Sequence, residues 1–166
     1  MIGVRRAEPG DAAALVALAE QVGREEGGWI LTTAGWRSVS EERRYLRAVH
    51  QHADAAVFVV EDGGLIVGRL SLSRDPHPSS HHVADLGLMV AVDHRRRGIG
   101  RALLEEAVRW ARESGIRKLE LHVFPWNEPA LRLYESFGFE REGLRKEHYA
   151  RAGTYVDAIL MAYRVV

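Results

Sequence analysis

The sequence predicts one α/β domain in which a central sheet is covered by helices. Two observations carry this prediction. Short apolar stretches bounded by turn residues alternate along the chain with amphipathic stretches of helical period. The length of 166 residues corresponds to about one domain. The resulting order β-α-α-β-β-β-α-β-α-β-β is that of a mixed α/β or α+β domain over residues 1–166.

Turn residues mark the element boundaries in the first half of the chain. Asp11 follows a Pro-Gly pair and is a candidate N-cap of the first helix, and Ser38 or Ser40 can begin the second. The turn Asp62-Gly63-Gly64 predicts a hairpin between the second and third strands. The predicted elements are strand 2–6, helix 12–22, a short helix after Ser38 or Ser40, strand 55–61 and strand 65–73.

The second half of the chain alternates strands and helices more regularly. Gly87 interrupts an apolar strand, which indicates a bulge or a close backbone approach. Gly115 supplies a C-cap for the third helix, and Asn127 caps the fourth, whose first turn tolerates Pro129. The predicted elements are strand 84–92, helix 98–113, strand 117–124, a helix from 127–129 to 137–138, strand 139–149 and strand 154–163.

Composition excludes several functional classes. The 23 basic residues balance the 23 acidic residues, and this zero formal net charge disfavours a strongly basic nucleic-acid-binding protein. The chain has no cysteine, which excludes disulfides, thiolate zinc sites, iron–sulfur clusters and thiol nucleophiles. It also lacks a signal-peptide core and any apolar stretch of about 20 residues, so we expect a cytoplasmic protein that does not act at a membrane.

An arginine- and glycine-rich run at 95–101 lies between a predicted strand and a predicted helix. Glycine lets a ligand approach the backbone, and the first helical turn offers unpaired N–H groups and a dipole that favours anions. The run therefore predicts a phosphate or pyrophosphate site at 96–101, with a solvated Gly-rich turn as the structural alternative. Leu103 stands where the dinucleotide fingerprint needs a small residue, and the chain has no P-loop motif.

This run resembles the acetyl-CoA pyrophosphate loop of the GNAT superfamily of N-acetyltransferases. Further segments resemble the same family in the same order, and the last of them looks like members acting on amino acids, peptide N-termini or small amines. The likeness is close over about 84–163 and elsewhere extends only to element order. The segments that carry it are 86–90, 95–100, 121–127, 127–139, Gly143 and 153–161.

The resemblance implies a fold and a cofactor site. The GNAT fold has a mixed, mostly antiparallel sheet of about seven strands with about four helices, and its fourth and fifth strands splay apart around the cofactor. Backbone groups of the fourth strand would bind the pantetheine arm of acetyl-CoA like an added strand. The cofactor-binding residues implied in this way are Leu88, Met89, Val90, Arg96, Arg97, Gly98, Ile99, Gly100, Arg101 and Asn127.

The resemblance also implies catalytic residues. Tyr134 matches the general acid that protonates the departing thiolate of CoA, although its helical spacing also fits a core position. His122 stands where the ribosomal-protein N-terminal acetyltransferases of the family have a glutamate base, and Glu120 shares its strand face. Asp85, a chain of water molecules or no dedicated base are the alternatives.

The implied activity is direct transfer of an acetyl group from acetyl-CoA to a primary amine of a small molecule or peptide in a ternary complex. A non-catalytic acetyl-CoA-binding regulatory module is the alternative, and a homodimer is compatible with the family. No metal is expected, because the loop of His77, His81 and His82 offers no ordered carboxylate partner and exposed loop histidines are usually solvated. Trp29 and Trp36 either line an acceptor pocket or pack helices together.

Overall fold

A seven-stranded sheet organises the chain in the computed structural model, which describes residues 2–29 and 36–166. The strands are β1 (Val4–Arg6), β2 (Ala55–Asp62), β3 (Leu65–Arg74), β4 (Val83–Val90), β5 (Lys118–Val123), β6 (Glu140–Arg151) and β7 (Thr154–Arg164). The α-helices are α1 (Ala12–Gly23), α2 (Val39–Gln51), α3 (Ile99–Glu113) and α4 (Glu128–Phe137). The strands lie in the order β1-β2-β3-β4-β5-β7-β6, and neighbours are antiparallel except for β4 and β5.

The predicted fold class and the predicted order of strands and α-helices are confirmed. Additional 3₁₀ turns occur at Pro9–Asp11, Pro78–Ser80 and Val92–His94. The last of these turns ends β4 at Val90, two residues before the predicted end of that strand. None of the helices formed by the described residues is long and apolar enough to cross a membrane.

The first two helices begin in different ways. Ser38 rather than Ser40 begins α2, since its side chain accepts from the Glu41 N–H at 3.2 Å and the Glu41 carboxylate accepts from the Ser38 N–H at 2.9 Å. Asp11 precedes α1 but does not cap it with its side chain. The Asp11 carboxylate instead accepts from the Glu8 N–H at 2.7 Å and so closes the preceding 3₁₀ turn.

Helices cover both faces of the sheet. On one face, Val59 of β2 packs with Leu15 of α1 and Leu46 of α2 in a cluster of buried apolar side chains. On the other face, Leu70 of β3 belongs with Leu103 of α3 to a larger cluster. Because successive side chains of a strand point to opposite faces, these two clusters require the near-continuous apolar sequences of β2 and β3.

Gly68 on β3 determines how closely α3 approaches the sheet. A Cβ at this position would lie 2.9 Å from Ile99 Cγ2 and 3.2 Å from Leu103 Cδ1. A side chain on residue 68 would therefore push the first turns of α3 away from β3.

We expect Gly68→Ala to lower the free energy of unfolding by about 1–3 kcal/mol, because overpacking a filled core typically costs that much. Gly10→Ala is the matched control, since a Cβ there meets nothing within 4 Å, and we expect it to change stability by less than about 0.5 kcal/mol. Chemical denaturation measures both values. Equal stability of the two variants would mean that α3 can shift without cost.

Candidate active site

The fourth and fifth strands pair only briefly and then separate, as predicted. Their parallel register ends at the pair of Asp85 with Glu120. Beyond it β4 remains paired with β3 as far as Val90, and β5 remains paired with β7 as far as Val123. Residues after the last pair therefore border a gap inside the sheet, lined by main-chain groups that no neighbouring strand satisfies.

The main-chain groups of β4 that face this gap follow from the pairing with β3. The Ala91 N–H donates to the Val67 carbonyl of β3 at 2.8 Å. Because N–H directions alternate along a strand, the N–H groups of Val90 and Leu88 point away from β3 and into the gap. The N–H group of Met89, a residue that the sequence analysis placed with Leu88 and Val90 at the cofactor, points toward β3. The gap edge of β4 suits an extended chain of amides added as a strand.

The loop between β4 and α3 exposes a set of N–H groups. Arg96 has φ of 59° and Gly98 has φ of 85°, and left-handed residues of this kind can form a backbone concavity that suits an anion. The first hydrogen bond of the helix runs from the Ala102 N–H to the Gly98 carbonyl at 3.0 Å. The N–H groups that precede it without a helical partner are those of Ile99, Gly100 and Arg101.

Arg95 does not belong to this anion site. Its guanidinium donates two hydrogen bonds of 2.7 Å to the Glu25 carboxylate and one of 3.0 Å, through Nε, to the Val90 carbonyl. This contact joins the segment after α1 to the end of β4. It positions the edge of the gap, and no local sequence signal links two residues so far apart in the chain.

The other arginines of the run remain directed toward solvent. Arg96 and Arg97 are exposed, and neither makes an ion pair with another residue of the described chain. Arg101 lies 3.5 Å from Glu105 and stacks over Phe137 at 5.4 Å. Arg96 and Arg97 are therefore the side chains that can meet an anion at this loop.

The two glycines of the loop have different structural requirements. A Cβ at Gly100 would lie 2.7 Å from Leu133 Cδ2, so this glycine lets α4 pack against the start of α3. A Cβ at Gly98 would meet only Ile2 Cδ1 at 3.4 Å, and its requirement is the positive φ. Gly100 thus has a packing role that the sequence analysis did not anticipate.

Tyr134 lies in α4 with a buried ring and an unpaired hydroxyl. Its side chain is 6% exposed, and its ring packs on Phe139 with centroids 5.6 Å apart. Burial raises the pKa of the hydroxyl above its ordinary value, so the group keeps its proton. The described residues provide no hydrogen-bond partner for it. Asn127 begins this helix, and its Oδ1 accepts from the Ala130 N–H at 3.3 Å.

Acidic groups lie where the two strands part. Glu120 occupies the face of β5 opposite its buried leucines, as predicted, and Asp85 is its strand partner. Asp85 keeps contact with solvent, but loss of hydration and then the charge of Glu120 raise its pKa to about 6. A cavity of about 220 Å³ opens here, lined by Ser73, Arg74, Asp75, Pro76, Val83, Asp85 and Glu120.

His122 lies two residues further along the same face, beside the gap. Its Nδ1 is 2.8 Å from the Tyr149 hydroxyl of β6. Partial burial lowers the pKa of His122, and the charges of Arg145 and His148 lower it further. Burial, followed by the charge of Asp85, raises the pKa of Tyr149. His122 is therefore a neutral imidazole near pH 7, held by a tyrosine that the sequence analysis did not identify.

Residues that follow α1 contact the segment after β5 and the core. The Trp126 indole donates to the Gly27 carbonyl at 2.8 Å and stacks on Phe124 at 4.5 Å. The Trp29 indole donates to Glu25 at 2.7 Å, and its ring packs on the main core. Trp36 packs over Arg69, with the guanidinium 5.1 Å from the ring centroid. Both tryptophans discussed in the sequence analysis thus make packing contacts.

Within residues 2–29 and 36–166, no group of three or more His, Cys, Asp or Glu side chains is placed to hold a metal ion. His77 instead accepts from the Ser79 N–H through Nδ1 at 3.1 Å. A larger groove of about 620 Å³ runs along α3 between Arg101 and Glu113 and does not include Asp85, Glu120 or His122.

We expect Asp85→Asn to raise the melting temperature above pH 7, because it removes the cost of a poorly hydrated carboxylate beside Glu120. The rise should be about 2–4 °C for each kcal/mol of that cost. The folded state raises the Asp85 pKa to about 6 from about 3.9 in unfolded chains, so ionisation destabilises the wild type. The difference should shrink as the pH falls through 6 and vanish below about 4.

Asp93→Asn is the matched control, because Asp93 is an exposed carboxylate outside the cluster. Thermal melts of the three proteins from pH 4 to 8 measure the effect. A gain from Asp85→Asn that does not depend on pH would contradict this electrostatic origin.

Comparison with known proteins agrees with this geometry. The chain matches the model of the acetyltransferase (GNAT) family over residues 29–139. It is 39% identical over 103 residues to the L-amino acid N-acetyltransferase AaaT of Escherichia coli strain K12, covering 60% of this chain and 62% of that protein. It is 38% identical over 120 residues to the N-alpha-acetyltransferase RimI of Mycobacterium tuberculosis strain H37Rv, covering 71% of this chain and 69% of that protein.

A third relative is the ribosomal protein bS18-alanine N-acetyltransferase of Escherichia coli strain K12, 39% identical over 45% of this chain and 51% of that protein. The match thus spans less than two thirds of this relative and of AaaT. The structure of a GNAT-family acetyltransferase from Streptococcus pneumoniae superposes with a TM-score of 0.87 and 29% identity, covering 100% of both chains. With the splayed strands and the loop at 96–101, these matches establish that the chain belongs to the acetyltransferase (GNAT) family.

Proposed function

We propose that this protein transfers an acetyl group from acetyl-CoA to a primary amine of a small molecule or peptide, by direct attack in a ternary complex. The observation that carries the proposal is the gap between β4 and β5. It joins the anion-binding loop at 96–101 to the cluster of Asp85, Glu120 and His122. The names of the relatives, which are N-acetyltransferases of L-amino acids and of protein alanine, support the same chemistry.

The residues present fit acetyl-CoA. The Val90 N–H, the nearer of the two gap-facing groups to the loop, suits an amide of a pantetheine arm lying along β4. The N–H groups at the start of α3, with the guanidinium groups of Arg96 and Arg97, suit a pyrophosphate. We include Asn127 because it begins α4 beside the gap, where its carboxamide caps the helix.

In the proposed reaction, the neutral amine attacks the thioester carbonyl, a C–N bond forms, and the C–S bond breaks. The Leu88 N–H faces the gap further from the loop at 96–101 than the Val90 N–H does, and it donates to the carbonyl oxygen as negative charge develops there. The amine loses one proton to a base, and the departing sulfur receives one from the Tyr134 hydroxyl. Because burial raises the pKa of the Tyr134 hydroxyl above its ordinary value, the group is protonated near neutral pH.

We assign acceptance of the amine proton to the cluster where the strands part. His122 lies nearest the gap, and its lowered pKa leaves it unprotonated near neutral pH. When its Nδ1–H donates to the Tyr149 oxygen, the lone pair of Nε2 is available to the amine. Asp85, with a pKa of about 6, is the second candidate in the same cluster.

The function is tested by measuring free CoA and acetylated product with a panel of amino acids, peptides and diamines. We expect equal amounts of both products with at least one acceptor class. A folded protein that binds acetyl-CoA and releases no CoA with any acceptor would instead be the regulatory module considered in the sequence analysis.

Tyr134→Phe tests the general acid. We expect kcat to fall about 100-fold, the lower end for a positioned acid, because a thiolate is a good leaving group. Acetyl-CoA affinity should be retained, and stability should change by less than about 1 kcal/mol, since the ring keeps its contact with Phe139. Wild-type turnover by Tyr134→Phe would mean that this tyrosine is only a core residue.

The base is identified by pH profiles of kcat/KM for the wild type, His122→Ala and Asp85→Asn, with Glu120→Gln as a comparison. Activity should rise with pH as the base loses its proton, at about pH 6 for Asp85 and below about 6.5 for His122. The acidic limb should disappear in the variant that lacks the base. A limb that survives in all three variants would assign proton acceptance to water.

A further inference from the structure

A buried polar cluster lies on the same face of the sheet as Asp85 and His122. Arg69 of β3 has a side chain 4% exposed, and Glu42 of α2 has one that is fully buried. The Arg69 Nη2 and the Glu42 Oε1 are 3.5 Å apart, without hydrogen-bond geometry. The other Glu42 oxygen accepts from Arg37 Nη1 at 2.7 Å. Trp36 covers the cluster, with its ring 5.1 Å from the Arg69 guanidinium.

This cluster has more donors and more positive charge than it can satisfy. Arg69 Nε, Arg69 Nη2 and Trp36 Nε1 are buried and have no acceptor among the described residues. Two guanidinium groups, of Arg37 and Arg69, share the single carboxylate of Glu42. Buried N–H groups nearly always have partners, and a buried charge without full pairing is costly. Glu42 Oε1 also lacks a partner and lies 3.5 Å from Arg69 Nη2, so it can take one of the two hydrogens on that nitrogen. The remaining N–H groups of Arg69 and Trp36, with one excess positive charge, point to an anionic ligand.

The cluster borders the proposed acceptor site. Arg69 is the strand partner of Met89, which lies between the two residues whose N–H groups face the gap. The next pair on the same face is Ser71 with Gly87, and Gly87 is exposed. A Cβ at Gly87 would lie 3.1 Å from Ser71 Oγ. Because residue 87 has no side chain, nothing projects from this position of the sheet face between Arg69 and Asp85.

We propose that Arg69 and Trp36 bind the carboxylate of the acceptor, which makes the acceptor a free amino acid rather than a peptide N-terminus. A carboxylate accepts two hydrogen bonds from the fork of one guanidinium and has room for a third from an indole N–H. In an α-amino acid, one carbon separates the carboxylate from the amine, and Arg69 lies on β3 directly beside β4, the strand that borders the gap. The assignment rests on the proposed function.

The test compares L-alanine, L-leucine, L-methionine and L-phenylalanine with their own carboxamides as acceptors. Arg69→Met removes the guanidinium and keeps an unbranched side chain. Trp36→Phe removes the indole N–H and keeps an aromatic ring over Arg69. Arg109→Met is the matched control, since it removes the same charge from the exposed side of α3.

We expect the wild type to use at least one amino acid about tenfold better than its carboxamide, the equivalent of one charge-assisted hydrogen bond. Arg69→Met should abolish this preference, Trp36→Phe should reduce it about threefold through KM, and Arg109→Met should keep it. The amino acid and its carboxamide differ in the basicity of their amines. Dividing the preference of each variant by the preference of the wild type removes this difference. If Arg69→Met fails to fold, Trp36→Phe gives the same comparison.

Three outcomes would overturn the proposal. The wild type could use amino acids and their carboxamides equally well, the variants could lose activity with both to the same extent, or only peptides could be acetylated. Failure of the proposed function is distinguished by thermal melts in the presence of CoA. If no acceptor releases CoA, stabilisation of the wild type by the amino acids and not by the carboxamides would still support the carboxylate site. Absence of that stabilisation would overturn it.

Discussion

Hydrogen bonding between β4 and β5 stops after the pair of Asp85 with Glu120, and the rest of the candidate site depends on this interruption. Main-chain groups inside a sheet that lack a partner strand must find partners elsewhere, so this edge of β4 suits a ligand with amides of its own. Contacts at both ends hold the gap open. Arg95 ties the end of β4 to Glu25, and Trp126 ties the segment after β5 to Gly27.

Several residues of the proposed sites are poorly satisfied in the fold. Asp85 is forced beside Glu120, and Arg69 has buried N–H groups without acceptors. Arg96 occupies a left-handed conformation that a side chain disfavours. Such strain persists where the surrounding structure over-determines it, and it is concentrated at functional sites.

Local sequence signals predicted the parts of the site that local physics determines. A glycine before an amphipathic helix predicted the loop at Gly98, and an asparagine before a proline predicted the start of α4. Contacts between distant segments left no such signal. The hydrogen bond of His122 to Tyr149 and the ion pair of Arg95 with Glu25 each join elements that only the folded sheet brings together. The packing role of Gly100 depends on Leu133 in the same way.

The sheet face that carries Asp85, Glu120 and Arg69 has charges of opposite sign at two places. Asp85 and Glu120 stand where the strands part, and Arg69 stands one strand away behind Trp36. The free amino acid that we propose as acceptor would place its carboxylate toward the Arg69 guanidinium and its amine toward the gap. Such a polarity would orient the proposed acceptor before the reaction begins, which is how positioning contributes to rate.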